Sequence, residues 1–218
     1  MMTIKNFQWQ KHSKFQIPAI REIFGQMWRY YDNYLESTED IPYWSTEMAL
    51  VGNLAMAAAQ LKKYPAALEF FNEKAKRKRL KRADLWLGLD QNDLGLIVEA
   101  KRDWISLRLK EQSISQHVMY YLKEADDYLD DLRTMASWGA SLFFAQVYIT
   151  KRAMSLDYPA SVKGMIKECE AVAKYPRNNI SFLAYYFLED KQEVEKRWSD
   201  HYKCSYPGIV TFGRIWRA

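Results

Sequence analysis

Cysteine, histidine, glycine and proline are all scarce in this chain, and each scarcity removes a class of protein. Only Cys169 and Cys204 occur in 218 residues, and they lie far apart. That excludes a disulfide framework and a cysteine-based zinc site, and it suits two reduced thiols in a core. The three histidines, His12, His117 and His201, fall in no recognisable motif. With only 8 glycines and 6 prolines the chain has little flexible material, no low-complexity segment and no repeat at a solenoid period. No apolar run approaches the length of a membrane span, and the opening MMTIKNFQWQKHSKFQ is too polar for a signal peptide. The expectation is a soluble intracellular (cytoplasmic) protein without a membrane partner.

What is present is enough apolar material for a full core. Hydrophobic residues make up 49% of the chain, which suits a single domain over 1–218. The most informative stretch is RADLWLGLDQNDLGLIVEAK, Arg82 to Lys101. Two short apolar strand-like runs flank a polar turn, with Asp84 in the first and Glu99 and Lys101 in the second. If Asp90 to Asp93 make the tight turn, with Gln91 and Asn92 at its tip, opposed residues have numbers that sum to 183, a register that sets Asp84 against Glu99. Strand period two then puts Glu99 and Lys101 on the face of Ile97, and Asp84 on that of Trp86. Like charges directly opposed destabilise a strand pair, so facing carboxylates require a proton or a cation between them. Lys101 alone neutralises only one. The second run is apolar on both faces through Leu94, Leu96, Ile97, Val98 and Ala100, as in a buried central strand. The competing reading is a half-exposed hairpin with ordinary surface charges.

Asp84, a turn and Glu99-Ala100-Lys101 at the end of an apolar strand together resemble the PD-(D/E)xK nuclease superfamily, the restriction-endonuclease-like fold, with Ala83 where the eponymous proline would stand. The resemblance covers about twenty residues directly. It implies an enzyme that hydrolyses DNA phosphodiester bonds with a water activated by Mg²⁺ or Mn²⁺. The cation would be held by Asp84, Glu99 and the carbonyl of Ala100, and Lys101 would position the water and stabilise charge on the phosphate. In that superfamily the preceding helix often adds an acid to the metal site. Here Glu47 begins the apolar stripe of Leu50, Val51, Leu54, Ala58 and Leu61 on a helix starting from Ser45 or Thr46. A first-turn glutamate favoured by the helix dipole and reaching water is the alternative. RNA as substrate is not separated from DNA by these residues, and a homo-oligomer is compatible with them. The alternative from another class is a catalytically silent module of the same fold that binds nucleic acid or a protein partner.

The net charge of +5 is modest, but KAKRKRLKR, Lys74 to Arg82, has seven basic residues in nine. Lys76, Arg77, Lys78, Arg79, Lys81 and Arg82 lead into the Asp84 strand and would contact a phosphate backbone. A solvated loop or a nuclear import signal are the other readings. Further on, Gln116 and Tyr120 form a Gln-x(3)-Tyr that resembles the motif after the acid-x-Lys strand in RecB-like nucleases. Helical phase instead centres the apolar stripe near Tyr121 and Ala125, which makes His117 and Tyr121 equal candidates for substrate contact.

The remaining pattern gives helices at Ile17 to Leu35, Ile114 to Met135 and Ala160 to Ala173. Ala66 to Asn72 is either a strand or helical turns, and Trp104 to Gln112 a connector. Trp138-Gly139 reads as a turn, Ala140 to Ile149 and Ile180 to Phe187 as strands, and Ile209 to Trp216 as an edge. The acids Glu124, Asp126, Asp127, Asp130 and Asp131 read as a solvated helix face. The expected fold is α/β: a restriction-endonuclease-like mixed sheet of four to five strands flanked by helices. Within it, 1–44 is a helical N-terminal cap, 45–150 the core with the metal site and 151–218 the completion of the sheet.

Overall fold

The apolar runs of the sequence assemble into one mixed seven-stranded sheet. In the computed structural model, which describes residues 2–38, 40–43, 46–71, 82–89, 95–154 and 157–217, chain order is β1 (Thr3–Trp9), α1 (Pro18–Ser37), α2 (Glu47–Gln60), β2 (Ala66–Phe71), β3 (Arg82–Leu87), β4 (Leu96–Ser106) and α3 (Glu111–Leu129). A 3₁₀ turn, Asp130–Met135, follows, then β5 (Trp138–Thr150), α4 (Lys151–Met154), α5 (Tyr158–Lys174), β6 (Phe182–Leu188), α6 (Lys191–Lys196) and β7 (Cys204–Arg217). Spatial order is β1-β6-β7-β5-β4-β3-β2. Among the described strands only β4 and β5 run parallel, because α3 carries the chain back between them; the other neighbours are antiparallel.

The two faces of the sheet are dressed differently. Leu85, Leu87, Leu96 and Val98 pack with Ile20, Ile23 and Phe24 of α1 and Leu54 of α2. Their alternates Trp86 and Ile97 pack with Leu129, Leu132 and Ala136 below the end of α3. Both sides of β4 are therefore buried, and each buried leucine or isoleucine contributes about 1.5–3 kcal/mol. Helix α2 starts where Thr46 caps it, its side chain accepting from the amide of Ala49. Ser45, the alternative cap, lies outside the described residues.

The structure corrects the expected layout in several places. The sheet has seven strands and not four or five. The N-terminal region is more than a helical cap, since β1 forms one edge of the sheet against β6. Ala66–Phe71 is a strand. The connector proposed from Trp104 is instead a continuation of β4 to Ser106, zipped to β5 along its whole length. Helix α3 begins at Glu111 and gives way to the 3₁₀ turn after Leu129. The supposed edge at Ile209 to Trp216 is part of β7, which lies between β5 and β6. Asp126 is not merely solvated, for it pairs with Arg214 at 2.6 Å and accepts from Ser141. Cys169 and Cys204 are buried free thiols. Among the described residues no helix is long and apolar enough to cross a membrane.

Trp138 and Gly139, read as a turn, open β5. Gly139 pairs with Trp216, and a Cβ on it would lie 1.9 Å from the Trp216 ring. The glycine is there for the close approach of the indole. Gly139→Ala is expected to cost about 1–3 kcal/mol, the usual penalty for overpacking. An unchanged urea midpoint would show that the indole moves aside freely.

Candidate functional site

β3 leaves β4 partway along, and the gap it opens is lined with carboxylates. The ladder pairs Leu87 with Leu96, Trp86 with Ile97 and Leu85 with Val98. These pairs carry the register expected from the sequence, although the turn residues Asp90 to Asp93, and Leu94 with them, lie outside the described residues. Pairing stops one step short of Asp84 and Glu99. Beyond that point the edge amides of β4 need other acceptors, because an unpaired buried N–H costs about as much as a lost hydrogen bond. Asp84 Oδ2 accepts from the amide of Ala100 at 2.7 Å. The Arg102 amide hydrogen-bonds to the Glu47 carboxylate. The Trp104 amide donates to Asp103 Oδ1 at 2.8 Å. Three successive edge amides are thus capped by three carboxylates. The carbonyl of Ala100 points to the same edge as its amide, since both groups of one strand residue face one side.

Lys101 connects this row to Glu99. Its Nζ lies 2.6 Å from Glu99 Oε1 and 3.9 Å from Glu47 Oε1. Glu99 is only 3% exposed, and its second oxygen, Oε2, is buried without a hydrogen-bond partner. A carboxylate oxygen in that position is costly unless a proton or a cation meets it. Accordingly burial, reinforced by the charge of Asp84 and offset in part by Lys101, pushes the Glu99 carboxyl up to about 8. Burial also raises Asp84, against the Ala100 amide, Lys101 and a hydrogen bond that the protonated Glu99 carboxyl gives it, and raises Glu47, against the Lys101 charge; Glu99 Oε2 is thus without a partner only when Glu99 is ionised. For Lys101 burial pulls downward, but the hydrogen bond to Glu99 and the charges of Glu99, Glu47 and Asp84 outweigh it and hold the ammonium above its ordinary value.

Among the described residues no group of three or more acidic, histidine or cysteine side chains encloses a metal ion by itself. An open site of this kind suits Mg²⁺ or Mn²⁺. Mg²⁺ takes one or two carboxylates, keeps several waters and accepts substrate phosphates. Asp84, the orphaned Oε2 of Glu99, the Ala100 carbonyl and, at the rim, Glu47 are an all-oxygen donor set that fits such a hard cation.

Of the other residues singled out from sequence, Arg82 is engaged with Glu69 at 3.2 Å, while Lys76, Arg77, Lys78, Arg79 and Lys81 lie outside the described residues. His117 and Tyr121 face Asp103, whereas Gln116 and Tyr120 lie on the exposed side of α3 and do not reach the carboxylates. Three neighbours of the site were not singled out in the sequence. Asp103 caps the third edge amide. Tyr128 accepts from the amide of Arg82 at 3.3 Å and places its ring 5.7 Å from Lys101 Nζ. Glu69 interrupts the β2–β3 ladder opposite Asp84 with φ of +49°, an uncommon backbone for a residue with a side chain, and its charge adds to the rise of Asp84. Alternation along β4 would have offered Asp103, two positions beyond Lys101 on the same face. Glu69 carries no signal in the sequence, since a positive φ at a break in the β2–β3 ladder leaves no mark on hydrophobic periodicity.

Compared with protein-family models, with curated proteins and with solved structures, the chain matches none.

Proposed function

We propose that this chain is a divalent-cation-dependent nuclease of the PD-(D/E)xK kind that hydrolyses DNA phosphodiester bonds. The observation that carries the reading is the orphaned Glu99 oxygen, buried beside Asp84 and Lys101 at the point where β3 parts from β4. An anionic strand could not approach three edge carboxylates unaided, so cation and substrate belong together in this cleft. Asp84, Glu99, the Ala100 carbonyl and Glu47 would hold the ion. Bound there, Mg²⁺ or Mn²⁺ supplies the charge that makes water a stronger nucleophile and offsets charge on the phosphate.

The protein's own groups do the rest. Lys101 remains an ammonium because acids surround it, and it can orient the attacking water and face the non-bridging oxygen on which charge develops. Its Glu99 partner keeps that ammonium fixed, so little reorganisation is needed when charge appears. Tyr128 backs the Lys101 side chain. Water attacks the phosphorus, the bond to the leaving oxygen breaks, and the products carry a phosphomonoester and a hydroxyl.

Metal binding can be tested apart from cleavage. Mn²⁺ at a hundred times its dissociation constant should stabilise the wild type by about 2.7 kcal/mol in thermal unfolding. Asp84→Asn should abolish that shift. A shift that persists in Asp84→Asn places the ion elsewhere and sinks the assignment. Incubation with circular, linear and single-stranded DNA and with RNA, in Mg²⁺ or Mn²⁺, tests the activity itself, and no cleavage of any DNA would reject it.

A further inference from the structure

Two residues past Lys101 on the same face of β4, a second polar group is fully assembled. Asp103 uses Oδ1 to accept from the Trp104 amide at 2.8 Å and Oδ2 to meet His117 Nδ1 at 3.0 Å. The Tyr121 hydroxyl also hydrogen-bonds to Asp103, and burial together with that carboxylate raises it. Tyr121 is immobilised in turn, its ring stacked on Phe143 at 5.0 Å and 10°, and the His117 ring lies 6.5 Å from it at an angle of 29°. The orientation of His117 is thereby fixed. Nδ1 turns inward to a carboxylate and Nε2 turns outward, with no hydrogen-bond partner among the described residues. The side chains of His117 and Asp103 are 38% and 33% exposed, so Nε2 is open to a ligand.

A histidine locked by an anchored carboxylate, with its outer nitrogen open to solvent, is built to meet something. The outer nitrogen of an imidazolium whose other nitrogen is held by a carboxylate donates outward, and a phosphodiester oxygen is the acceptor suited to it. Position says which phosphate. Asp103 lies two residues beyond Lys101, a strand distance of about 6.6 Å at ~3.3 Å per residue, comparable to the step between successive phosphates along one strand. We propose that His117, positioned by Asp103, contacts the phosphate next to the scissile one on a bound nucleic-acid strand. The inference rests on the nuclease reading for the location of the scissile phosphate.

The test measures binding without cleavage, using a fluorescent 12-nucleotide single-stranded DNA in Ca²⁺ over a series of salt concentrations. His117→Ala should bind about tenfold more weakly, and the slope of log affinity on log salt should fall by about 0.7, the value for one phosphate contact on a single strand. His117→Arg, which sets a permanent cation at the position, should restore the slope. In His117→Ala the loss of strand affinity should exceed by several-fold any change in hydrolysis of bis(p-nitrophenyl) phosphate, a diester with no neighbouring phosphate. Wild-type affinity and slope in His117→Ala would overturn the contact. So would a parallel loss of strand binding and of small-diester hydrolysis, since His117 would then act at the scissile centre itself. A wild-type protein that binds the strand with a His117-dependent slope but hydrolyses neither substrate would reject the nuclease reading and support the contact; one that binds no strand rejects the contact outright.

Discussion

Lys101→Met is expected to lower the rate of DNA cleavage in Mg²⁺ or Mn²⁺ by about 10²–10³-fold, the loss that follows removal of one preorganised group facing developing charge. Methionine keeps the apolar stem and removes only the ammonium. What disappears is a cation held 2.6 Å from Glu99 and flanked by Glu47, fixed before substrate arrives. The same substitution removes the main offset to the rise of Glu99, so Glu99 should hold its proton still more firmly. Cleavage by Lys101→Met at the wild-type rate would remove Lys101 from the chemistry, whatever becomes of the fold. A comparable loss in thermal stability would instead make the effect structural, so unfolding midpoints should be measured alongside at pH 6, where Glu99 is protonated and the cost of the missing ammonium is least.

The parts of this site that could be read from the sequence are those set by local periodicity. Turn length fixes register, and the pairs from Leu85–Val98 to Leu87–Leu96 have the expected one. Helical phase likewise brings Glu47 to within 3.9 Å of Lys101. What escaped depends on distant partners. β1 escaped because only Phe7 in it is buried, so an edge strand shows almost no apolar alternation. β7 runs beyond the edge expected at Ile209 to Trp216, back through Gly208 and Pro207 to Cys204. Proline is normally confined to edges and bulges, and here the register steps from Val147–Gly208 to Ile149–Ser205, so that one extra residue of β7 is taken up beside Pro207. The continuation of β4 past Lys101 was hidden for another reason. Arg102, Asp103 and Trp104 look like surface residues until β5 lies along one edge of the strand and the carboxylates of Asp84, Glu47 and Asp103 cap the other.

Without divalent metal, the protein should lose stability as pH rises from about 4.5 to about 8, and Glu99→Gln should remove most of that dependence. The sign follows from proton counting. Glu99 is raised from 4.5 to about 8 in the folded state by burial and by the charge of Asp84. Below pH 4.5 both the folded and unfolded chains hold the proton, and its contribution is fully present. Between these values the folded chain binds more protons than the unfolded one, so stability falls with pH until Glu99 ionises in the folded state near 8. At about 1.4 kcal/mol per pKa unit the whole window is on the order of 5 kcal/mol. Asp84 and Glu47, also raised, add losses of the same sign from the acid side, while Lys101 stays charged throughout. Glutamine cannot ionise, and its amide can donate towards Asp84 where Glu99 needs a proton or a cation. Glu99→Gln should therefore be the more stable protein at pH 8 in chelator, by several kcal/mol in urea unfolding. A bound cation favours the ionised carboxylate, so Mn²⁺ should stabilise the wild type more at pH 8 than at pH 6, and Glu99→Gln little at either. Equal stability of the two proteins across pH 5 to 8 would mean that Glu99 meets a partner of its own inside the fold, and the case for a cation at its free oxygen would end there.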